Sequence, residues 1–405
     1  MNSLLIRGGN LVLPEKEAIK TGDLLIQEGR IACLGEVRLS GKAIETIDAT
    51  GLYVSPGFID LQTNGGAGYN FGDATAEEIR KIIAFHIARG TTGLLPTTVT
   101  APIEAIRNAV QQVHSLNHPA VLGMHIEGPF IATKRKGAHN AHHILTPSVE
   151  RLNELLAGYE GFIKIVTLAP ELPGADQLIS RITEIGAVPS FGHSDATYRQ
   201  TIEAIEHGIS LFTHMFNAMR GPHHREPGVV GAALDSEVMV ELICDGVHVH
   251  PVIVRLLLKA KGIDEICLIT DSISAAGLAD GEYSLGGLVV FVQAGQARLA
   301  DGTLSGSTLT MNQAVKKFIE FTGCSLSAAV KAASLNPARL LAIDERKGSL
   351  EEGKDADIVI FDEGLDIHYT IIGGEVFYAR DGGGRCEQQR GDELGYGVSE
   401  RATKK

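Results

Sequence analysis

The sequence lacks any apolar run approaching the ~20 residues that a membrane-spanning helix needs, so we expect no membrane partner. Positive charge is also scarce, since 36 lysines and arginines stand against 49 aspartates and glutamates. A net charge of −13 argues against a nucleic-acid-binding protein, although it is compatible with a local basic pocket for an anion. The length of 405 residues leaves room for about two or three domains.

Cysteine is sparse and scattered, with five residues, no CxxC motif and no paired spacing. Such a set indicates reduced thiols in a cytoplasmic protein rather than a disulfide framework or a thiolate metal site. The N-terminal segment MNSLLIRGGNLVLPEK does not have the pattern of a secretory signal peptide, which agrees with a cytoplasmic location. The segment LSGSTLTM (304–311) lacks the lysine of a P-loop, so nucleotide binding is not indicated.

Short β-favouring segments separated by glycine and proline occupy both ends of the chain. LLIRG, NLVL, GDLLIQEG and RIACLG lie in the first fifty residues, and DADIVIFD and HYTIIGGEVFYA lie near the other end. Because chain ends of a compact protein are often close together, we predict one small β domain formed from residues 1–53 and 346–380. The polar, glycine-rich segment 381–405 is predicted to be a flexible tail.

The middle of the chain, residues 54–345, alternates apolar runs with helical patterns. The eight runs span 57–64, 92–99, 121–128, 163–171, 187–195, 209–217, 238–246 and 265–272. Helices are predicted near 75–90, 102–116, 147–157, 175–186, 197–208, 251–262, 308–321 and 326–341, with a hairpin excursion at 281–304. This α/β pattern predicts a (β/α)₈ barrel, with a doubly wound open sheet as the rival. Polar residues at the carboxyl end of every run favour the barrel, because barrel enzymes build their sites there.

Four of these strand-end residues suit metal-assisted hydrolysis. Glu127, His193 and His214 offer one carboxylate and two imidazoles, a set that suits zinc with one position open for water. Asp271, at the end of the eighth run, can accept a proton from that water and return it to a leaving amine. Each residue alone has a structural alternative: a histidine can simply hydrogen-bond, and Asp271 can cap a helix. The alternatives weaken when all four residues must coincide.

The remaining histidines carry weaker signals. We expect His86, His114, His118 and His207 to be surface or capping residues. His223 and His224 lie with Arg225 in a loop bounded by glycine and proline. A basic loop of this kind usually meets only solvent, but it can also meet an anionic substrate.

A series of motifs in the chain resembles one known family. PGFIDLQTNG, HIEGPF, KGAHN, FGHSDA, THMFNAM, REPG, CDGVHV, ITDS and LSGSTLTM occur in this order. Together they resemble the N-acetylglucosamine-6-phosphate deacetylases of the amidohydrolase superfamily, from about residue 4 to about residue 380. The resemblance implies a (β/α)₈ barrel with a small β-sandwich domain from both termini. It also implies hydrolysis of the acetyl group of N-acetyl-D-glucosamine 6-phosphate to give D-glucosamine 6-phosphate and acetate.

The resemblance further assigns roles to individual residues. Glu127, His193 and His214 would hold the metal, and Asp271 would be the general base and then the general acid. His139 would polarise the amide carbonyl, and Arg225 would bind the phosphate of the neighbouring subunit's substrate, which implies a homodimer. The other residues expected to contact the sugar phosphate are Ala138, Asn217, Ala218, His248, Leu304, Ser305, Gly306 and Ser307.

One departure from the superfamily concerns the number of metals. Most amidohydrolases carry His-x-His after the first strand, whereas this chain has Gln62-Thr63-Asn64. Neutral amides are poor zinc ligands beside imidazole, so we predict one divalent metal per chain, with Gln62 and Asn64 behind the ligands or binding water. Zn²⁺ is the favoured ion, while Fe²⁺ or another divalent ion stays open. Two functional alternatives also stay open: a deacetylase of another N-acetyl hexosamine phosphate, such as N-acetylgalactosamine 6-phosphate, or a non-catalytic sugar-phosphate-binding barrel.

Overall fold

Residues 3–37 and 44–380 are described by a computed structural model of the protein. The predicted tail, 381–405, lies outside the described residues. Within them no helix is long and apolar enough to cross a membrane.

The strands of the described residues are numbered in chain order. They are β1 Ser3–Leu13, β2 Ala18–Gln27, β3 Arg30–Gly35, β4 Glu45–Asp48, β5 Tyr53–Pro56, β6 Phe58–Thr63, β7 Gly65–Gly66, β8 Tyr69–Asn70, β9 Thr91–Thr98, β10 Met124–Glu127, β11 Ile163–Leu168, β12 Val188–Phe191, β13 Leu211–Phe212, β14 Met239–Ile243, β15 Ile266–Ile269, β16 Gly281–Leu285, β17 Leu288–Gln293, β18 Gln296–Arg298, β19 Ile358–Phe361, β20 Ile367–Ile372 and β21 Glu375–Ala379.

The α-helices of the same residues are numbered in the same way. They are α1 Ala76–Ile87, α2 Ile103–Leu116, α3 Val149–Leu156, α4 Ala175–Glu184, α5 Tyr198–Glu206, α6 Gly228–Leu234, α7 Pro251–Lys261, α8 Met311–Thr322, α9 Leu326–Ala333 and α10 Leu335–Leu340. Short 3₁₀ helices occur at Pro14–Lys16, Thr133–Arg135 and Ala141–His143.

The first sheet combines strands from both ends of the chain. Its order is β21-β20-β19-β5-β1-β2-β3, with β4 also paired to β1. β19 is antiparallel to β5, with Val359 opposite Ser55, and this pairing joins the two ends. Buried Ile6, Leu24 and Ile358 belong to a separate core within this sheet. The expected β domain from both termini is therefore confirmed. Its predicted boundary at residue 53 stays a prediction, and β5 begins at that residue and continues the sheet to Pro56.

The second sheet is a parallel barrel. Its strands follow the order β15-β14-β13-β12-β11-β10-β9-β6, and every neighbouring pair is parallel. The last and first strands meet through a bond from the Asp271 N–H to the Gln62 carbonyl, 2.8 Å long. Helices α1 to α7 connect successive barrel strands. The strands are almost entirely buried because they are covered on both faces, and their polar residues lie mainly towards the strand ends. The predicted (β/α)₈ barrel is confirmed, and the open doubly wound sheet is wrong.

Helix signals in the sequence account for most of the barrel helices. In α1, Thr75 caps the first turn and forms a reciprocal capping box with Glu78, while Ile79, Ile82 and Ile83 are buried. The predicted helix 326–341 is two helices, α9 and α10, which meet at Ser334. α6 was not predicted, because GVVGAAL is short and dominated by small residues without a clear apolar period.

A small antiparallel sheet, β16-β17-β18, covers one side of the barrel mouth. It occupies the segment predicted as a hairpin excursion. Leu285 and Val290 pack with Ile273, which follows β15, and with Val99, which follows β9. Because both contacts lie just beyond the carboxyl ends of barrel strands, this sheet borders the face where the candidate site lies.

Candidate active site

Three ligand-type side chains converge at the carboxyl end of the barrel. Glu127 is the last residue of β10, and His193 and His214 each follow their strands, β12 and β13, by two residues. The Glu127 Oε1 atom lies 3.1 Å from His193 Nε2 and 2.8 Å from His214 Nε2, and the two nitrogens are 3.1 Å apart. All three side chains are buried. In a tetrahedral zinc site, neighbouring ligand atoms lie roughly 3.3 Å apart, so the triangle has the size that such an ion requires.

The hydrogen bonds around His193 show why a cation suits this triangle. His193 Nδ1 lies 2.9 Å from the Arg135 carbonyl oxygen. A carbonyl only accepts, so Nδ1 carries a hydrogen, and Nε2 is the ring atom that faces Glu127 and is available as a ligand. Burial raises the pKa of Glu127, but the His193 and His214 rings hold it well below its usual value, so the carboxylate is charged. The two rings thus share protons with the carboxylate at one point, where a divalent cation could take the place of those protons.

His139 approaches the same point but with the opposite polarity. Its Nδ1 accepts the backbone N–H of Thr100 at 3.1 Å, so the neutral ring carries its hydrogen on Nε2. Nε2 lies 3.7 Å from Glu127 Oε2, and Glu127, His139 and His193 all have ligand-type atoms within 4.8 Å of one another. Burial, followed by the charge of His193, lowers the pKa of His139 to about 3. A neutral ring with Nε2–H is a hydrogen-bond donor, so we favour His214 over His139 as the third ligand.

Asp271 faces the triangle from the end of β15. Its Oδ1 accepts a 2.7 Å hydrogen bond from Asn64 Nδ2. Burial, followed by the charge of Glu127, raises the pKa of Asp271 to about 8, and a cation held by the triangle would lower it again and favour the carboxylate form that accepts a proton. Asp271, His193 and His214 all have left-handed backbone conformations, with φ of 47°, 50° and 32°. Non-glycine residues adopt this region at an energetic cost, and such positions cluster at functional sites.

The two amides after β6 occupy different places. Asn64 lies at the site and is bonded to Asp271. Gln62 is completely buried, and neither atom of its amide has a hydrogen-bond partner among the described residues. Both positions carry neutral amides, which are poor zinc ligands beside imidazole.

A cavity of about 450 Å³ opens above these groups. Seven of the residues expected to contact the sugar phosphate line it: Ala138, His139, Asn217, Ala218, His248, Leu304 and Gly306. Ser305 and Ser307 do not line it; both are buried, and Ser307 Oγ donates to the Thr270 carbonyl. Arg225 is exposed, hydrogen-bonds to His224 and does not line the cavity of its own chain.

Three cations in the cavity wall were missed by the sequence analysis. They are Lys134, Arg135 and Arg298. Asp195 Oδ1 lies 2.7 Å from Arg135, and its Oδ2 lies 2.5 Å from Lys134 and 2.9 Å from Arg220. Hydrogen bonds from Arg220 and Lys134 hold the pKa of Asp195 well below its usual value. The run KRK (134–136), whose last lysine begins the KGAHN motif, was the available signal for Lys134 and Arg135.

The family model described as the amidohydrolase family matches residues 53–377, which is most of the chain. The chain belongs to the amidohydrolase family. This amidohydrolase is 39% identical, over 87% of its chain and 92% of the relative, to a protein of Lysinibacillus sphaericus named N-acetylglucosamine-6-phosphate deacetylase. It is 38% identical to an Escherichia coli O157:H7 protein named N-acetylgalactosamine-6-phosphate deacetylase, over 90% of this chain and 97% of the relative.

A solved structure gives a similar result for the fold of this amidohydrolase. It is an N-acetyl-D-glucosamine-6-phosphate deacetylase variant from Mycobacterium smegmatis in complex with N-acetyl-D-glucosamine-6-phosphate. The two chains are 35% identical and superpose with a TM-score of 0.87, covering 93% of this chain and 99% of the other.

His86 of this amidohydrolase corrects one expectation. It was predicted to be a surface or capping residue, yet it is only 1% exposed. Its Nε2 lies 3.1 Å from both Thr63 Oγ1 and the Gly65 carbonyl, and Ser272 Oγ donates to the same carbonyl. His86 therefore ties together the two segments that carry Asn64 and Asp271. The helical pattern of α1 alone could not show this, because the face that bears His86 packs against the turn after β6.

Proposed function

We propose that the protein hydrolyses the acetyl amide of N-acetyl-D-glucosamine 6-phosphate, giving D-glucosamine 6-phosphate and acetate. The observation that carries this proposal is the triangle of Glu127, His193 and His214, with Asp271 beside it, at the base of a cavity that has cations in its wall. The relatives named as deacetylases of hexosamine phosphates support the same substrate class.

Glu127, His193 and His214 would hold one divalent cation, for which we propose Zn²⁺. A cation bound there lowers the pKa of a coordinated water towards neutrality and polarises the substrate carbonyl. A single ion per chain agrees with the amide side chains at Gln62 and Asn64.

Asp271 and His139 would handle the protons and the developing charge. Asp271 accepts a proton from the attacking water as the water oxygen bonds to the acetyl carbon, while Nε2–H of His139 donates to the carbonyl oxygen. The carbon–nitrogen bond then breaks, and Asp271 returns its proton to the amine. The acid leaves as acetate. The hydrogen bond from Asn64 would keep Asp271 oriented throughout.

The phosphate would bind at the cationic wall. Lys134, Arg135 and Arg298 line this chain's own cavity. Arg225 would reach the cavity of a second copy, because it is exposed and does not line its own. A homodimer also agrees with exposed Val252 and Leu256 on α7, which packs beside the helix that follows Arg225. Sedimentation of the protein would test this state.

The cytoplasm is the proposed location. Cys33, Cys244, Cys267 and Cys324 are free thiols, as expected in a reducing compartment.

The second candidate substrate is N-acetylgalactosamine 6-phosphate. The similarity to the Escherichia coli relative supports this candidate. The chain is 38% identical to that protein and 39% identical to the Lysinibacillus sphaericus N-acetylglucosamine-6-phosphate deacetylase, so sequence identity does not favour either sugar. The two sugars differ only at one hydroxyl, so the proposed ligands and proton acceptor would serve both. Comparing kcat/KM for the two epimers decides between them.

The decisive experiment is to measure acetate release by purified protein before chelation, after chelation and after zinc is returned. Unphosphorylated N-acetylglucosamine is the control substrate. We expect release that is lost on chelation, restored by about one zinc per chain, and much slower without the phosphate. Metal-loaded protein that releases no acetate from either epimer would refute the proposed function. Two tightly bound ions per chain would refute the single-ion site.

A further inference from the structure

A second cavity, of about 210 Å³, adjoins the reaction cavity. Asn64, Val99 and Leu285 line both cavities, so the cavities adjoin at these three residues. A passage between the cavities would lie there, and this place is called the opening. The turn of the β16–β17 hairpin lies directly on this opening. Gly286 has a φ of 56°, and a Cβ atom there would come within 2.8 Å of Val99 Cγ2. The hairpin turn thus packs against Val99 as closely as a residue without a side chain allows.

The two cavities differ in the chemistry of their walls. Lys134, Arg135 and Arg298 line the reaction cavity. No lysine or arginine of the described residues lines the second cavity. Its wall combines apolar side chains such as Val99, Ile106 and Leu285 with polar ones, among them Thr97, Thr98 and Asp73. A phosphate group belongs with the cations, whereas a neutral, apolar group belongs in the second cavity.

The opening also lies between the two side chains proposed to act on the amide. Asn64, on one side, hydrogen-bonds to Asp271. Val99, on the other, directly precedes Thr100, whose backbone N–H and hydroxyl bond to His139 Nδ1. An amide carbon carries one acyl substituent and one amine substituent. Because the amine carries the sugar phosphate towards the cations, the acyl substituent is left facing the opening.

We propose that the second cavity is an acyl pocket, which lets the enzyme hydrolyse neutral N-acyl groups longer than acetyl. This inference rests on the proposed function and extends it to N-propionyl and N-butyryl glucosamine 6-phosphate. A volume of about 210 Å³ equals the space of roughly seven water molecules, so it holds several methylene groups. The pocket reaches the surface at Gly72 and Asp73, which are exposed, so a four-carbon chain meets no closed end.

The test compares N-acetyl, N-propionyl and N-butyryl glucosamine 6-phosphate, with release of the free amine as the readout. Ala105→Phe would fill the pocket from α2, and Asn108→Phe places the same ring on the exposed side of the same helix as a control. Val99→Ala would widen the opening. The measured quantity is the ratio of kcat/KM for the N-butyryl substrate to that for the N-acetyl substrate.

For the unaltered protein we expect a ratio within about tenfold of unity. Ala105→Phe should lower the ratio at least tenfold, Asn108→Phe should leave it unchanged, and Val99→Ala should raise it severalfold. Should Ala105→Phe not fold, the Val99→Ala result still decides. Rapid hydrolysis of the N-acetyl substrate with none of the N-butyryl one would overturn the acyl pocket and leave the proposed function intact. Hydrolysis of only the longer amides would support the pocket and overturn acetyl as the substrate group. No hydrolysis of any amide by metal-loaded protein would overturn both.

Discussion

Replacing Asp271 by asparagine tests the proposed proton transfer most directly. The substitution keeps the shape of the side chain. It also keeps an oxygen that can accept the hydrogen bond from Asn64, which is 2.7 Å long in the unaltered protein. It removes only the ability to take up and return a proton. General acid–base catalysis contributes about 10²–10⁴ in rate. Because Asp271 would act in both directions, we expect kcat to fall by about 10³–10⁴, equivalent to about 4–5.5 kcal/mol in the activation barrier.

The assay must separate lost chemistry from lost metal or lost fold. Asp271 lies outside the triangle of Glu127, His193 and His214, so the variant should bind one metal per chain as before. Acetate release gives kcat and KM, metal analysis gives the occupancy, and thermal unfolding gives the stability. Asp176→Asn is the matched control, because Asp176 is exposed in the first turn of α4.

Two results would contradict the role of Asp271 as the proton acceptor. If Asp271→Asn kept more than about a tenth of the original kcat with its metal in place, another group would have to accept the proton of the water. If activity disappeared together with the metal, Asp271 would be a ligand rather than a proton acceptor.

Three further predictions concern residues that support the site or the fold. Asp195→Asn should raise KM for the phosphorylated substrate about 3–10-fold with a smaller change in kcat, because Lys134 and Arg135 lose their shared carboxylate partner. A lower kcat at unchanged KM would contradict this role of Asp195. Burial lowers the pKa of His86 to about 4, so its contribution to stability is complete above pH 6.5 and is lost as the pH falls towards 4, by up to about 3 kcal/mol. Unfolding of His86→Gln should depend less steeply on pH in that window, and equal slopes would exclude the assignment. Thr75→Ala should lower the free energy of unfolding by about 1 kcal/mol without changing kcat, as measured by denaturant titration and acetate release.

The barrel could be predicted because its elements repeat one physical pattern. Each strand is buried on both faces and therefore contains a short apolar run, and each long helix shows its own apolar stripe. α6 escaped prediction because Gly228, Gly231 and the alanines of that helix bury its surface with small side chains. The break between α9 and α10 at Ser334 was not predicted for another reason: the combined sequence of the two helices has the pattern of one continuous helix.

From the strand pattern alone, the site was predictable only at the ends of strands, whereas residues outside the strands such as His139 and His248 were expected from the family resemblance. Glu127 and Asp271 could be located because the carboxyl end of a barrel strand has a fixed place in the fold. Lys134 and Arg298 come from a loop and from the added β16–β18 sheet, whose positions depend on tertiary contacts that no local pattern encodes. The opening to the second cavity also could not be predicted from a local pattern. Leu285, one of the residues that line it, packs with Val99 only after that sheet folds over the barrel mouth.

Arg135 connects the two halves of the candidate site in a way that side-chain motifs could not reveal. Its guanidinium is held by Asp195 at the cationic wall, while its backbone carbonyl accepts the hydrogen bond that orients His193 towards Glu127. Any residue at this position supplies the carbonyl, but only a residue anchored by Asp195 keeps that carbonyl in place. Asp195→Asn should therefore weaken zinc binding slightly as well as substrate binding, since the orientation of a ligating histidine affects metal affinity. Arg135→Ala, which loses the guanidinium, should have both effects, whereas Lys134→Ala should weaken substrate binding alone. Equal zinc affinity in all three variants, measured by competition with a chelator, would show that the carbonyl is held by the fold of the loop and not by the ion pair.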